Sequence, residues 1–312
     1  MSRRRRFLGN WHNLLALLII GGFLCVAWLA PWLAPQEDPA DPTAMRTLPG
    51  YRPTALRAPR PPSAEAPLGT APGGWDVYYG LVWGAWPTLR FGLLTTVLTA
   101  GFGISVGALS GYAGGLVSRV LMRVTDAFLT FPAIAGIFLF RTILPEAVET
   151  PHNFGQAVLH FLRVDPVMLA LIAFSWMPYA RLIHANMLTL KQTDYAMAAK
   201  TTGASSLRII FRHLLPNAIA PAIVLAARDV GGMVILEAAF TFIGIGAGLP
   251  WGLLLVVGRN WIIGPGGNPF LFWWVFVPAT LALILFSLGW NLFGDGLNAV
   301  WNPHSIKRGQ RI

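Results

Sequence analysis

Charge is what this sequence is short of. Asp, Glu, Lys and Arg together make 12% of its 312 residues, against 55% hydrophobic. A soluble domain carries about twice that charged fraction, so an ordinary globular interior is a poor description of the chain. Cysteine is nearly missing as well. Cys25 stands alone, which excludes a disulfide within the chain and any metal site built on several thiolates. There is no G-x(4)-G-K-[ST], hence no P-loop for ATP, and no HExxH or G-x-S-x-G. The six histidines are scattered. "GIGAG" at 244–248 follows no strand pattern and is not read as a phosphate loop. No residue set points to catalysis by this chain.

What is present is a series of apolar runs. Six are long enough to cross about 30 Å of hydrocarbon: 14–34, 89–112, 124–144, 167–187, 218–245 and 271–294. A seventh, "WGLLLVVGRNWII" at 251–263, is short and holds Arg259, which suits an interfacial or re-entrant piece. The first run follows a basic start like that of a signal peptide, but it is long for one and no small-residue cleavage site follows. It is read as an uncleaved first transmembrane helix.

The net charge of +10 is not gathered into one patch, which argues against a nucleic-acid surface. With the N-terminus inside, the inner segments hold Arg3–Arg6, Arg119, Arg123, Arg181, Lys191, Lys200, Arg208, Arg212, Lys307, Arg308 and Arg311. Only Asp126, Asp194 and Asp295 oppose them there, while basic and acidic residues balance in the outer segments. The positive-inside rule then puts both ends in the cytoplasm. The expected fold is all-α, a polytopic membrane protein of six transmembrane helices. Residues 1–34 form the inner start and first span, and 35–88 an extended, proline-rich external connection. Residues 89–303 form the transmembrane core, with an inner hairpin at 191–216, and 304–312 a tail. Tryptophans at 28, 32, 75, 83, 86, 251, 261, 273 and 274 fall near predicted outer helix ends, as an aromatic belt does.

The hairpin is the most informative stretch. "TDYAMAAKTTGASSLRIIFRHLLPN" at 193–217 cannot cross a bilayer, yet lies between two runs that can. Its pattern predicts a helix over 191–202, a break at Gly203-Ala204-Ser205, and a second helix over 205–215 that Pro216 closes. In the second helix Leu207, Ile210, Phe211, Leu214 and Leu215 are expected to form one apolar stripe, with Arg208 and Arg212 on another face. Such a knob either lies on anionic lipid or docks a protein.

From Met197-Ala198-Ala199 through Gly203 to Pro216 the spacing resembles the "EAA" signature of ABC importer permeases, and more closely its version in the dipeptide/oligopeptide permease family. "APLGT" at 66–70 with "WDVYYGLVWGAWPTL", "GYAGGLVSRVLMRVTDAFLTFP" at 111–132, "LEAAFTFIGIG" at 236–246 and "NLFGDGLNAVWNP" at 291–303 also resemble that family's landmarks. The resemblance implies a type I ABC importer permease fold. It makes the hairpin a coupling helix that docks on an ATPase subunit, through Asp194, Met197, Ala198, Ala199, Gly203, Ala204, Ser205, Arg208, Arg212, His213 and Pro216. It implies a second homologous permease, two ATPase subunits holding ATP and Mg, an external substrate-binding protein and a peptide cargo, with no cofactor on this chain. Related importers of nickel, glutathione or opines are the nearest alternatives, and an ATPase-independent channel or secondary transporter a more distant one. The sequence departs from the family at Met197, where the family has Glu and where Asp194 is a candidate substitute. It departs again at Ala71 and Trp75, where the family has Asp and Arg.

Arg228 and Asp229 fall inside the fifth run and Glu237 toward its outer end. Charges there are costly and are either structural ion pairs or part of a translocation path that meets the charged ends or backbone of a peptide. Neighbours on a helix point about 100° apart, so Arg228 and Asp229 are expected to find separate partners. Gly103, Gly107, Gly111 and Gly115 repeat every four residues, the pattern of close helix packing.

Overall fold

The protein was analysed as a computed structural model that describes residues 7, 9–35, 58–143, 165–246, 248–263, 268 and 270–301. The basic N-terminal cluster Arg3–Arg6, most of the proline-rich connection and the tail with Lys307, Arg308 and Arg311 lie outside the described residues.

Helices dominate. They are α1 (Trp11–Leu33), α2 (Val77–Ala113), α3 (Gly115–Thr130), α4 (Ala133–Ile143), α5 (Pro166–Ser175), α6 (Met177–Leu190) and α7 (Asp194–Thr201). They continue with α8 (Ser206–Ala218), α9 (Ala220–Phe242), α10 (Pro250–Gly258) and α11 (Trp273–Trp301). α1, α2, the α5–α6 stretch and α11 are each long and apolar enough to cross a membrane. Two bent pairs, α3–α4 at 93° and α8–α9 at 59°, raise the number to six if each pair is one span. The expected third run is thus not one straight helix: it breaks at Phe131-Pro132, where proline disfavours a helical residue before it and Phe131 is extended (φ −75°, ψ 135°).

Two further expectations are corrected. The chain is not purely α: Thr70–Ala71 pairs antiparallel with Trp75–Asp76. The helix expected from residue 89 begins at Val77, and Pro87 sits inside it. Asp76 sets that start, since its buried Oδ1 accepts from the Tyr79 N–H at 3.0 Å, satisfying a first-turn donor as an N-cap does.

The chain packs into two compact units. One holds Met1–Asn10, Leu94–Asp229 and Phe293–Ile312. Its core joins Ala100 and Ala108 of α2 to Tyr179, Ile183 and Met187 of α6, and to Ala196, Ile209, Leu214 and Ala222 of the elements that follow. The glycine row makes this possible. A Cβ on Gly107 would stand 2.5 Å from the Ala180 carbonyl oxygen, and one on Gly111 2.5 Å from Met187 Cβ. Gly115 departs from the row: nothing lies near it, and its φ of +54° marks it as a turn residue opening α3.

The other unit holds Trp11–Leu93 and Val230–Leu292. Trp251 is its centre, packed with Phe23 and Phe286 and donating its Nε1–H to the Leu81 carbonyl at 3.0 Å. The short apolar piece expected to be interfacial is therefore α10, largely buried in this unit, with a 3-10 turn at Arg259–Trp261 after it.

Candidate functional site

The hairpin forms as two helices, with the first starting at Asp194 rather than at 191. α7 ends at Gly203, whose φ of +81° is a left-handed value that an L side chain adopts at a cost. Its N–H donates to the Lys200 carbonyl and that of Ala204 to the Ala199 carbonyl, both at 3.1 Å. Thr201 and Thr202 hydroxyls bond the Ala198 carbonyl as well. The end of α7 is thus closed by its own backbone and short side chains. Ser205 then caps α8 by accepting from the Arg208 N–H at 3.4 Å.

α8 is not a uniform α-helix. Ile209–Leu214 is π-helical, and the Leu215 N–H reaches back to the Ile210 carbonyl. Pro216 supplies a reason: it has no N–H to give, and in an α turn its ring crowds the carbonyl four residues earlier. The wider turn rotates the side chains. Ile209 and Leu214 are 3% and 0% exposed, whereas Leu207 and Phe211 are 68% and 65% exposed. The expected single stripe is therefore split: Leu207 and Phe211 face outward and Ile209 takes their place inside. Sequence reading missed this because it assumed 3.6 residues per turn throughout.

The outward face carries Leu207, Phe211, Tyr195 and Met197 as large exposed apolar groups. Asp194, Arg208 and Arg212 are exposed among them, Pro216 is exposed and His213 is half-buried. Tyr195, Ala198, Ala199, Gly203, Ala204 and His213 border a shallow concavity of about 480 Å³. Asp194 and Met197, three apart, both face out, so a carboxylate is offered one turn from Met197. The base of the knob is fixed by Ser110 Oγ against His184 Nδ1 at 2.9 Å and by Asn186 donating to the Ala218 carbonyl at 3.2 Å.

The charges inside the spans take separate partners, as their angular separation requires. Arg228 pairs with Asp295 of α11, and a Cβ on Gly294 would lie 2.7 Å from Arg228 Cγ, so glycine there makes room for the guanidinium stem. Asp229 accepts from the Tyr179 hydroxyl at 2.6 Å. The sequence did not reveal Asp295 or Tyr179 as partners of these charges; glycine beside an acid in an apolar run was the available signal for Asp295. Both Arg228 and Asp229 stand about 12–14 Å along α9 from Ala220, where an unpaired charge costs ~2.5–3.5 kcal/mol on insertion scales. Glu237 lies in the other unit. It is 1% exposed, and its Oε1 accepts from the Thr241 hydroxyl at 2.6 Å and the Leu249 N–H at 3.3 Å.

Residues 103–306 match the family described as binding-protein-dependent transport system inner membrane component. A protein of Brucella suis named as a peptide transport system permease is 33% identical over 97% of this chain and 89% of its own length. The oligopeptide transport system permease protein OppC of Mycobacterium tuberculosis is 31% identical over 98% of this chain and 96% of its own. The dipeptide transport system permease protein DppC of Alkalihalophilus pseudofirmus is 29% identical over 94% and 86%. The match over most of the chain, including the hairpin and the membrane-length helices around it, places this multi-pass protein in the family of binding-protein-dependent transport system inner membrane components.

Proposed function

We propose that the chain is one permease subunit of a peptide-importing ABC transporter in a bacterial inner membrane. It crosses the membrane six times with both termini in the cytoplasm, and forms half of the path with a second, homologous permease. An external binding protein delivers a di- or oligopeptide. Two ATPase subunits bind ATP and Mg and dock on the α7–α8 hairpin. Relatives named for dipeptide and oligopeptide transport support the cargo class. The observation that carries the coupling role is the division of α8. Ile209 and Leu214 root the hairpin in the core of α2 and α6, while Leu207 and Phe211 are left on the surface. A knob that is both rooted and sticky transmits displacement from a bound motor to the spans that flank it. The face of α9 with Arg228 and Asp229 lines the path, and Glu237 holds the Leu249 backbone against its own helix.

Co-purification tests the coupling role. Leu207→Glu with Phe211→Glu leaves the buried Ile209 and Leu214 in place, so the subunit inserts and pairs with the second permease. It is expected to recover at most a tenth of the ATPase bound by wild type. Full ATPase recovery with normal ATP-driven uptake would remove the hairpin from the mechanism.

A further inference from the structure

Arg228 and Asp229 are adjacent in sequence but not equivalent in electrostatics. The guanidinium of Arg228 already has a carboxylate against it, that of Asp295. The carboxylate of Asp229 has a neutral donor only: the Tyr179 hydroxyl is its one bonded partner among the described residues. Taken together, Arg228, Asp295 and Asp229 leave one negative charge uncompensated.

The geometry around that charge is built rather than incidental. Tyr179 is fully buried, and a Cβ on Gly103 of α2 would lie 2.7 Å from Tyr179 Cβ, so the ring is wedged against a glycine. Its hydroxyl is thereby delivered to Asp229 from a fixed position. Asp229 itself is only half-buried. A carboxylate has about four acceptor sites, and the tyrosine fills one of them. The tyrosine orients the group without neutralising it, and no other described residue bonds its remaining lone pairs.

We infer that Asp229, oriented by Tyr179, is a cation-recognition point on the transport path, which favours cargo bearing an ammonium or guanidinium group and disfavours anionic cargo. This rests on the reading of the chain as a peptide permease. Arg228 does not offset the preference, because Asp295 occupies it. The group recognised is a Lys or Arg side chain of the peptide, a cation at neutral pH; the amino terminus is common to all the cargoes and does not distinguish them. Hydrogen-bonded ammonium–carboxylate contacts in a water-poor path are stronger than neutral ones, so the preference is read as a ratio between cargoes.

The test uses the assembled importer, with both permeases, ATPases and binding protein, in lipid vesicles. Initial uptake of Ala-Lys-Ala and Ala-Glu-Ala is compared at saturating peptide. In wild type the lysine peptide is expected to enter several-fold faster. Asp229→Asn is expected to shrink that ratio at least fivefold, and Asp229→Glu to restore most of it. Tyr179→Phe keeps the charge but removes the bond that orients it, so its ratio is expected to fall part of the way from wild type toward Asp229→Asn, whereas a merely structural Tyr–Asp link would leave the ratio between cargoes unchanged. An unchanged ratio in an assembled Asp229→Asn importer overturns the inference and leaves the peptide reading intact. Loss of the second permease on purification of Asp229→Asn also overturns it, by assigning the missing cation to that subunit. A wild type that takes up neither peptide overturns the peptide reading, and the inference with it.

Discussion

Glu237 shows how a single residue in a membrane segment is held at low cost. Its carboxylate is buried and accepts from Thr241 on its own helix and from the Leu249 backbone beyond the turn. Thr241 in turn accepts from the Gly248 N–H at 3.2 Å. The residue thus satisfies a backbone donor that would otherwise be orphaned in a region without water. To these two bonds it supplies an acceptor oxygen, which the amide of Gln also offers. Glu237→Gln is expected to lower the thermal midpoint of the detergent-solubilised protein by little. Glu237→Ala leaves the Leu249 N–H and Thr241 hydroxyl unsatisfied and costs about 1–3 kcal/mol. Comparing the two melting curves checks this: equal losses from Gln and Ala would mean that charge, not hydrogen bonding, is what the site uses.

At the scale of elements, the hairpin turns on Gly203. No neighbour crowds it, but its φ of +81° penalises a Cβ by backbone strain alone. Gly203→Val is expected to destabilise the α7–α8 turn by about 1–2 kcal/mol, visible as faster backbone amide exchange over 199–205. Gly203→Asn, which tolerates the left-handed region, is expected to change exchange little. A tolerated Val would mean that the turn adopts another conformation. This glycine, Ser205 and Pro216 are local signals, and so the hairpin was legible from sequence, although its first helix starts at Asp194, its second runs through Pro216 to Ala218 and its apolar stripe is split. The elements that were not legible depend on longer-range or finer causes. The early start of α2 rests on one buried carboxylate, that of Asp76, capping a helix that then runs through a proline. The bend between α3 and α4 rests on Phe131-Pro132 inside an apolar run that hydropathy reads as continuous. The outward rotation of Phe211 rests on a π turn, which has no hydropathy signature. Likewise Arg228 and Asp229 were visible as costly charges, while their partners Asp295 and Tyr179 lie 67 and 50 residues away along the chain.

At the scale of the whole molecule, the chain has apolar length to cross a membrane repeatedly and lacks the P-loop by which it could bind ATP for itself. Its family membership ties it to a separate binding protein by description, and its α7–α8 hairpin is rooted in a core formed by α2 and α6. The claim joining these facts is that the hairpin lies in the cytoplasm and is covered there by a motor subunit. Cys25 is the only cysteine, so Cys25→Ser with Phe211→Cys places one thiol on the exposed face. Labelling that thiol with a membrane-impermeant maleimide, in vesicles of known orientation, with and without the ATPase subunits, tests the claim most directly. The account predicts labelling only from the cytoplasmic side, and strong protection when the ATPases are bound; labelling from the external side, or labelling that the ATPases leave unchanged, would contradict it.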